Sequence, residues 1–182
     1  MARARLTDAR RPGGRARETR NHVPARSIQR DVLAPGDPAP PFEGASYDGR
    51  QVSLASLRGR VVVVYFFPKA FTAGCTVETK GFRDNYPELR DLGVEVIGVS
   101  TDPPATQCEF AKAHSVSFPM IGDGEKDIAR RFAVLWPLVG VAKRVTFVID
   151  EDGIIRHVFR HEFQVSKHLD DVLRAVRKMK GA

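Results

Sequence analysis

The sequence predicts an α/β fold with a central mixed sheet flanked by helices, on three observations. First, Val61–Phe67 is a run of seven apolar residues, VVVVYFF. It is too short to span a membrane, and its β-branched and aromatic residues suit a strand buried on both faces. Second, a helical pattern follows it, and then another apolar run at 94–100, VEVIGVS, and another helical stretch. Third, RVTFVID at 144–150, a turn at Glu151-Asp152-Gly153 and a strand at 154–159 read as a hairpin, with an amphipathic helix behind it. Alternating strands and helices closed by a hairpin and a covering helix give one mixed sheet with helices packed on it.

The chain has 182 residues, enough for one domain with a substantial core. No apolar run approaches the roughly 18 residues of a spanning helix, so no membrane partner is expected. Two cysteines are no disulfide framework and fit a reducing, cytoplasmic setting. The net charge of +7 sits mostly at one end: residues 1–33 hold nine arginines against Asp8, Glu18 and Asp31, and the remaining 149 residues carry only +1. Residues 1–31 therefore read as a disordered Arg-rich arm, and 32–182 as the folded domain. The arm has three readings: nonspecific attraction to nucleic acid, a transit peptide, or no specific role. Its single serine and lack of an amphipathic pattern weaken the second, and the near-neutral domain weakens the first.

The elements follow in order. Residues 34–41 are Pro-rich and extended, and 42–52 form a hairpin around Asp48-Gly49. Residues 53–57 make a helical turn that Gly59 ends. After the 61–67 strand, Pro68 ends the ladder because it has no N–H. A helix begins near Cys75. Pro87 in its later part predicts a kink or a second short helix, and Gly93 ends it. Asp102-Pro103-Pro104 starts the next helix, which runs to about His114 and contains Cys108. A short extended segment at 118–121 and a short helix at 125–132 precede the hairpin. Ser166 is placed to cap the last helix, whose apolar face is Val165, Leu169, Val172, Leu173, Val176 and Met179. This order matches a thioredoxin-like fold with an N-terminal hairpin extension.

Cys75 falls where the buried strand hands over to a helix. Unpaired N–H groups and the macrodipole there favour negative charge, a thiol so placed ionises more easily, and the thiolate is the nucleophile. Alone, a cysteine is more often a small buried hydrophobe. Its neighbours argue otherwise. Thr72 places a hydroxyl three residues before it, able to hydrogen-bond beside the sulfur, and Pro68 is shaped to wall one side of a pocket.

Pro68-x-x-x-Thr72-x-x-Cys75, with the strand before it and Gly81-Phe82-Arg83-Asp84 after it, resembles the peroxidatic motif of peroxiredoxins. The wider string FFPKAFTAGCTVETKGFRD is similar to the peroxiredoxin Q branch, also called bacterioferritin comigratory protein. The opening VLAPGDPAPPF, from Val32, resembles the start of such a domain. The resemblance runs from about Leu33 to the C-terminus and implies the same thioredoxin-like fold. It also implies that the Cys75 thiolate attacks a peroxide O–O bond and becomes a sulfenic acid.

The resemblance further implies an arginine just before a T-F-x-[IVL]-D strand, and Arg144 fits. A guanidinium beside the sulfur favours the thiolate, donates to peroxide oxygen and stabilises charge on the leaving oxygen. Without the cysteine motif, Arg144 reads as a solvent-exposed residue at a strand start. Glu78, one helical turn after Cys75, either holds Arg144 or only complements the helix dipole. Neither C-x-x-C nor C-x-x-x-C begins at Cys75, which argues against a dithiol reductase and a copper-delivering relative.

A resolving thiol is the departure from the family pattern. Many Q-branch members carry a cysteine five residues after the first, where this chain has Lys80. Cys108 lies in the helix that other members use, about one turn early. With Phe110 facing the core, Cys108 points about 160° away at roughly 100° per residue, toward solvent. It either resolves the sulfenate after local unwinding or stays out of a one-cysteine cycle.

His157 and His161 lack a third ligand, and Asp123, Glu125 and Asp127 lack the rest of a calcium loop, so no metal is expected. No organic cofactor is implied either. The sequence thus reads as a thiol-dependent peroxidase acting on hydrogen peroxide and organic hydroperoxides, reduced by thioredoxin or another thiol, and working as a monomer or weak homodimer. Its rivals are a redox-sensing thiol protein with negligible turnover and a nucleic-acid-associated protein acting through its basic arm.

Overall fold

A computed structural model of the chain describes residues 33–160 and 164–181. The readings of the arm at 1–31 and of His161 lie outside the described residues. A small antiparallel pair comes first, β1 (Glu43–Ala45) and β2 (Gln51–Ser53), then a 3₁₀ turn at Ala55–Leu57. The main elements are β3 (Val61–Phe67), α1 (Ala73–Asp91), β4 (Val94–Ser100), α2 (Pro104–Ala113), β5 (Met120–Gly122), α3 (Asp127–Arg131), β6 (Val145–Ile149), β7 (Ile155–Arg160) and α4 (Val165–Lys180).

The five-stranded sheet has the order β5-β4-β3-β6-β7. β3, β4 and β5 run parallel, while β6 is antiparallel to β3 and β7 antiparallel to β6. β3 is central, and all seven of its residues are buried. Strand geometry sends alternate residues to opposite faces. Val61, Val63, Tyr65 and Phe67 enter a core with Phe82 of α1, Phe110 of α2 and Val172 of α4. Val62, Val64 and Phe66 enter a second core with Ile97, Phe132, Phe147 and Ile149. Each of these large side chains stabilises the fold by roughly 1.5–3 kcal/mol on burial, and so the unbroken apolar run belongs at the centre.

Two local expectations change. α1 runs unbroken through Pro87, with no second helix. Pro87 is exposed while Tyr86 and Leu89 on either side are buried, so packing on the core holds the turn that lacks one hydrogen bond. Ser166 lies inside α4, not before it; Gln164 stands at the cap position and no side chain caps the helix. Asp123, in the turn before α3, is buried. Its carboxylate accepts the N–H groups of Ile128 (3.2 Å) and Ala129 (2.8 Å), starting α3.

Candidate active site

β3 ends at Phe67 and α1 begins at Ala73, so Cys75 occupies the first turn of α1 above the centre of the sheet. β6 begins beside the end of β3, with Val145 opposite Phe66. This register brings Arg144, the residue before β6, to the start of α1 although it is 69 residues away in sequence. Gly74 keeps the space open: a Cβ there would lie 3.2 Å from Arg144 Nη2.

The Arg144 guanidinium is forked between two acceptors. Nη2 donates to Cys75 Sγ at 3.3 Å, and Nη1 donates to Glu78 Oε2. Cys75 and Glu78 are each 1% exposed and Arg144 5%, so the arrangement is screened from water. Burial works against the Arg144 cation, but the Glu78 carboxylate and the Cys75 sulfur outweigh it and hold its pKa above the usual value. The sequence left open whether Arg144 was an exposed strand start and whether Glu78 served only the helix dipole. Both side chains are instead inside, on one another.

Behind this trio stands a residue that the sequence reading passed over. His168 of α4 is fully buried. Its Nε2 lies 2.6 Å from Thr146 Oγ1 of β6 and 3.6 Å from Glu78 Oε1. The signal was present: 165, 168, 172, 176 and 179 share one face of α4, and only position 168 on that stripe is polar. Tyr65 lies nearby, its hydroxyl 3.2 Å from Thr79 Oγ1, and burial pushes its phenol well above the usual value.

One predicted member is placed differently. Thr72 is exposed, and its hydroxyl donates to Lys69 O at 3.0 Å instead of lying on the sulfur. Its carbonyl accepts the Thr76 N–H at 2.9 Å, and its side chain does not cap α1. Pro68 is half-buried directly after β3. The Asp102 carboxylate anchors the connecting loop by accepting the Ala70 N–H at 2.7 Å.

Cys108 is half-buried, and its sulfur lies 3.6 Å from the Tyr47 carbonyl. Tyr47 thus covers part of the side expected to face solvent. The loop between β1 and β2 folds onto α2, pinned where the Tyr47 N–H meets Met120 O and the Tyr47 hydroxyl meets Val116 O. Helix angle alone could not show a cover supplied from another element. Cys75 and Cys108 are both free thiols.

A guanidinium that a carboxylate holds, facing a sulfur in a helix first turn, is placed to stabilise negative charge that develops in a reaction at that sulfur. The sequence model of the AhpC/TSA family matches residues 35–158. The peroxiredoxin Bcp of Escherichia coli strain K12 is 42% identical over 147 residues, covering 78% of this chain and 94% of that protein. This chain belongs to the AhpC/TSA family, in the Q/Bcp branch of the peroxiredoxins.

The chloroplastic peroxiredoxin Q of Oryza sativa subsp. japonica is 35% identical over 148 residues, covering 81% of this chain and 68% of that one. Among solved structures, peroxidoxin BcpB of Mycobacterium tuberculosis superposes with a TM-score of 0.74 at 34% identity, over 80% of this chain and 97% of that chain. The bacterioferritin comigratory protein of Xanthomonas campestris, whose structures concern alkyl peroxide reduction, superposes with a TM-score of 0.71 at 28% identity, over 76% and 92%. This peroxiredoxin is a thiol-dependent peroxidase, an oxidoreductase that takes a peroxide substrate and a thiol reductant. No described helix is long and apolar enough to cross a membrane.

Proposed function

We propose that Cys75 is the peroxidatic nucleophile and that Arg144, held by Glu78, activates it. The observation that carries this reading is the 3.3 Å contact from Arg144 Nη2 to the buried Cys75 sulfur. The thiolate attacks one oxygen of the peroxide. An S–O bond forms and the O–O bond breaks, so the sulfur loses two electrons and becomes a sulfenic acid. The second oxygen leaves as an alkoxide or hydroxide and takes up a proton, giving an alcohol or water. The guanidinium faces the charge that develops on the oxygens, and N–H groups of the first turn of α1 add donors. Thr72 contributes through the backbone turn that starts the helix, and Pro68 through the loop wall.

The substrates are hydrogen peroxide and organic hydroperoxides. Phe71, 52% exposed one residue before Thr72, supports the second class by offering apolar surface beside the site. A thiol then attacks the sulfenic sulfur, forming a disulfide and releasing water, and a second thiol reduces that disulfide. Thioredoxin is the proposed source of the reducing thiols. Cys108 serves as resolving thiol only when Tyr47 and its loop uncover it; otherwise the external thiol attacks directly. Two free cysteines fit a reducing compartment such as the cytoplasm. Large exposed apolar side chains among the described residues are limited to Phe71, Val77, Trp136, Leu138 and Val139. That is little for an obligate interface, so the working unit is a monomer or weak homodimer, which sedimentation velocity checks.

Thioredoxin-coupled turnover tests the assignment. Cys75→Ser is expected to abolish peroxide consumption while leaving the fold intact by circular dichroism. Normal turnover by that variant would sink the assignment.

A further inference from the structure

The loop that joins β3 to α1, residues 68–72, sets where α1 begins and therefore where Cys75 sits. Thr72 stands at the N-cap position in an extended conformation (φ −81°, ψ 148°), and its carbonyl accepts the N–H of Thr76, the residue after Cys75. One residue earlier the chain makes a costly turn. Phe71 has a φ of +62°, in the left-handed region where Cβ crowds the following carbonyl. A bulky residue adopts that conformation only where its surroundings impose it.

The β4–α2 segment supplies those surroundings. β3 and β4 are parallel neighbours with Phe67 opposite Ser100, so the two loops leave the sheet side by side. The Asp102 carboxylate accepts the Ala70 N–H at 2.7 Å, immediately before Phe71, and both residues are buried. The Phe71 ring meets Phe110 of α2 edge-on at 5.2 Å, and the Thr72 hydroxyl closes the loop on Lys69 O.

Asp102 is itself held. The Ser100 hydroxyl donates to Gln107 Oε1 at 2.9 Å, and the same Ser100 oxygen accepts the Asp102 N–H at 3.4 Å. Ser100 and Gln107 are fully buried. A chain of hydrogen bonds thus runs from α2, through the end of β4, to the loop in front of Cys75. Such a chain is stiffer away from water, where each bond strengthens the next.

We propose that Asp102 is a positioning residue of the peroxidase site: through the Ala70 N–H it holds the left-handed turn at Phe71, and so places the first turn of α1, with Cys75, against Arg144. This rests on Cys75 being the peroxidatic thiol. Asp102 acts through the backbone and takes no part in the bond changes. What it controls is preorganisation, and a reacting atom misplaced by about 1 Å can cost about 100-fold in rate.

The role needs an acceptor oxygen, not a base. Asp102→Asn keeps that oxygen and Asp102→Ala has none, so the pair separates a held loop from a catalytic charge. The test measures the rate of Cys75 oxidation by hydrogen peroxide for both variants in a Cys108→Ser background, where Cys75 is the single thiol. Asp102→Ala is expected to react about tenfold more slowly and Asp102→Asn within about threefold of the Asp102 protein. Urea unfolding is followed in parallel. A folded Asp102→Ala that loses stability but reacts within a factor of about two would overturn the inference and leave Asp102 a structural anchor only. Equal losses in the two variants would overturn it too, by making the charge the cause.

Hydrogen exchange gives a second test that needs no variant. The Ala70 amide of the wild-type protein should exchange at least about 100-fold more slowly than in an unstructured chain, and an unprotected amide would overturn the inference. A wild-type Cys75 that ignores peroxide removes the peroxidatic assignment and this inference together. A reactive Cys75 with unaffected variants removes this inference alone.

Discussion

Arg144 shows how a single side chain serves two partners. A guanidinium presents its donors in a rigid planar fork, so one edge can hold Glu78 while the other reaches Cys75. A lysine would keep the charge but offer one point donor for both. We therefore expect Arg144→Lys to fold and to react with peroxide about 100-fold more slowly in stopped-flow measurements, in the range seen when one preorganised donor is removed from a reacting oxygen. A rate within a factor of two of wild type would contradict the fork. The option of a Glu78 support was legible in the sequence from its offset of one helical turn after Cys75, whereas Arg144 was legible only through the resemblance of RVTFVID to the family pattern. The placement of the Thr72 hydroxyl was not legible. A hydroxyl rotates freely among acceptors, and here the Lys69 carbonyl, three residues back, satisfies it. His168 was legible only as an interruption in an apolar stripe, since nothing local names its partners on α1 and β6.

Elements bring these residues together, and turns register the elements. β6 reaches the site only if it pairs correctly with β3, and the turn after it is pinned by Asp150. That carboxylate accepts the N–H groups of Asp152 (3.0 Å) and Ile154 (2.8 Å) and pairs with Arg156. Burial alone would raise the Asp150 pKa, but these donors prevail and hold it below the usual carboxylate value. The ionised form is thus favoured by folding. Its contribution is fully present above about pH 4, the unfolded value, and is lost as pH falls through the lower folded value. Arg156 is half exposed, so the backbone donors carry most of the effect. Asp150→Ala should cost roughly 1–3 kcal/mol at neutral pH in urea unfolding, with the difference from wild type shrinking below about pH 4. A difference that persists unchanged at pH 2 would show that the charge is irrelevant.

The β1–β2 hairpin was legible from Asp48-Gly49, and its docking on α2 was not, because that contact joins segments about 60 residues apart. On the proposed reading, the docking gates Cys108. Tyr47→Ala should speed labelling of Cys108 by a thiol reagent severalfold under native conditions, with Cys75→Ser as background. Unchanged labelling would place the barrier elsewhere.

At the scale of the whole molecule, the sheet is a device for carrying chemistry to one edge. Parallel β3 and β4 deliver both α1 and α2 at their carboxyl ends, while antiparallel β6 enters from the same edge with Arg144 at its head. The apolar run of β3 made this architecture readable, since a strand buried on both faces must be central and must carry helices on at least one side. The basic balance of the chain was no guide to function, since most of the net charge is carried by residues 1–33.

The central claim is that Cys75 is the thiol that peroxide oxidises. Its most direct test is mass spectrometry with peptide mapping after one equivalent of hydrogen peroxide, with a sulfenic-acid trap in a parallel sample. The account predicts modification of Cys75 within seconds, either as the trapped sulfenate or as a disulfide to Cys108. A Cys75 that remains an unmodified thiol after minutes, while peroxide is consumed or Cys108 alone is oxidised, would contradict it.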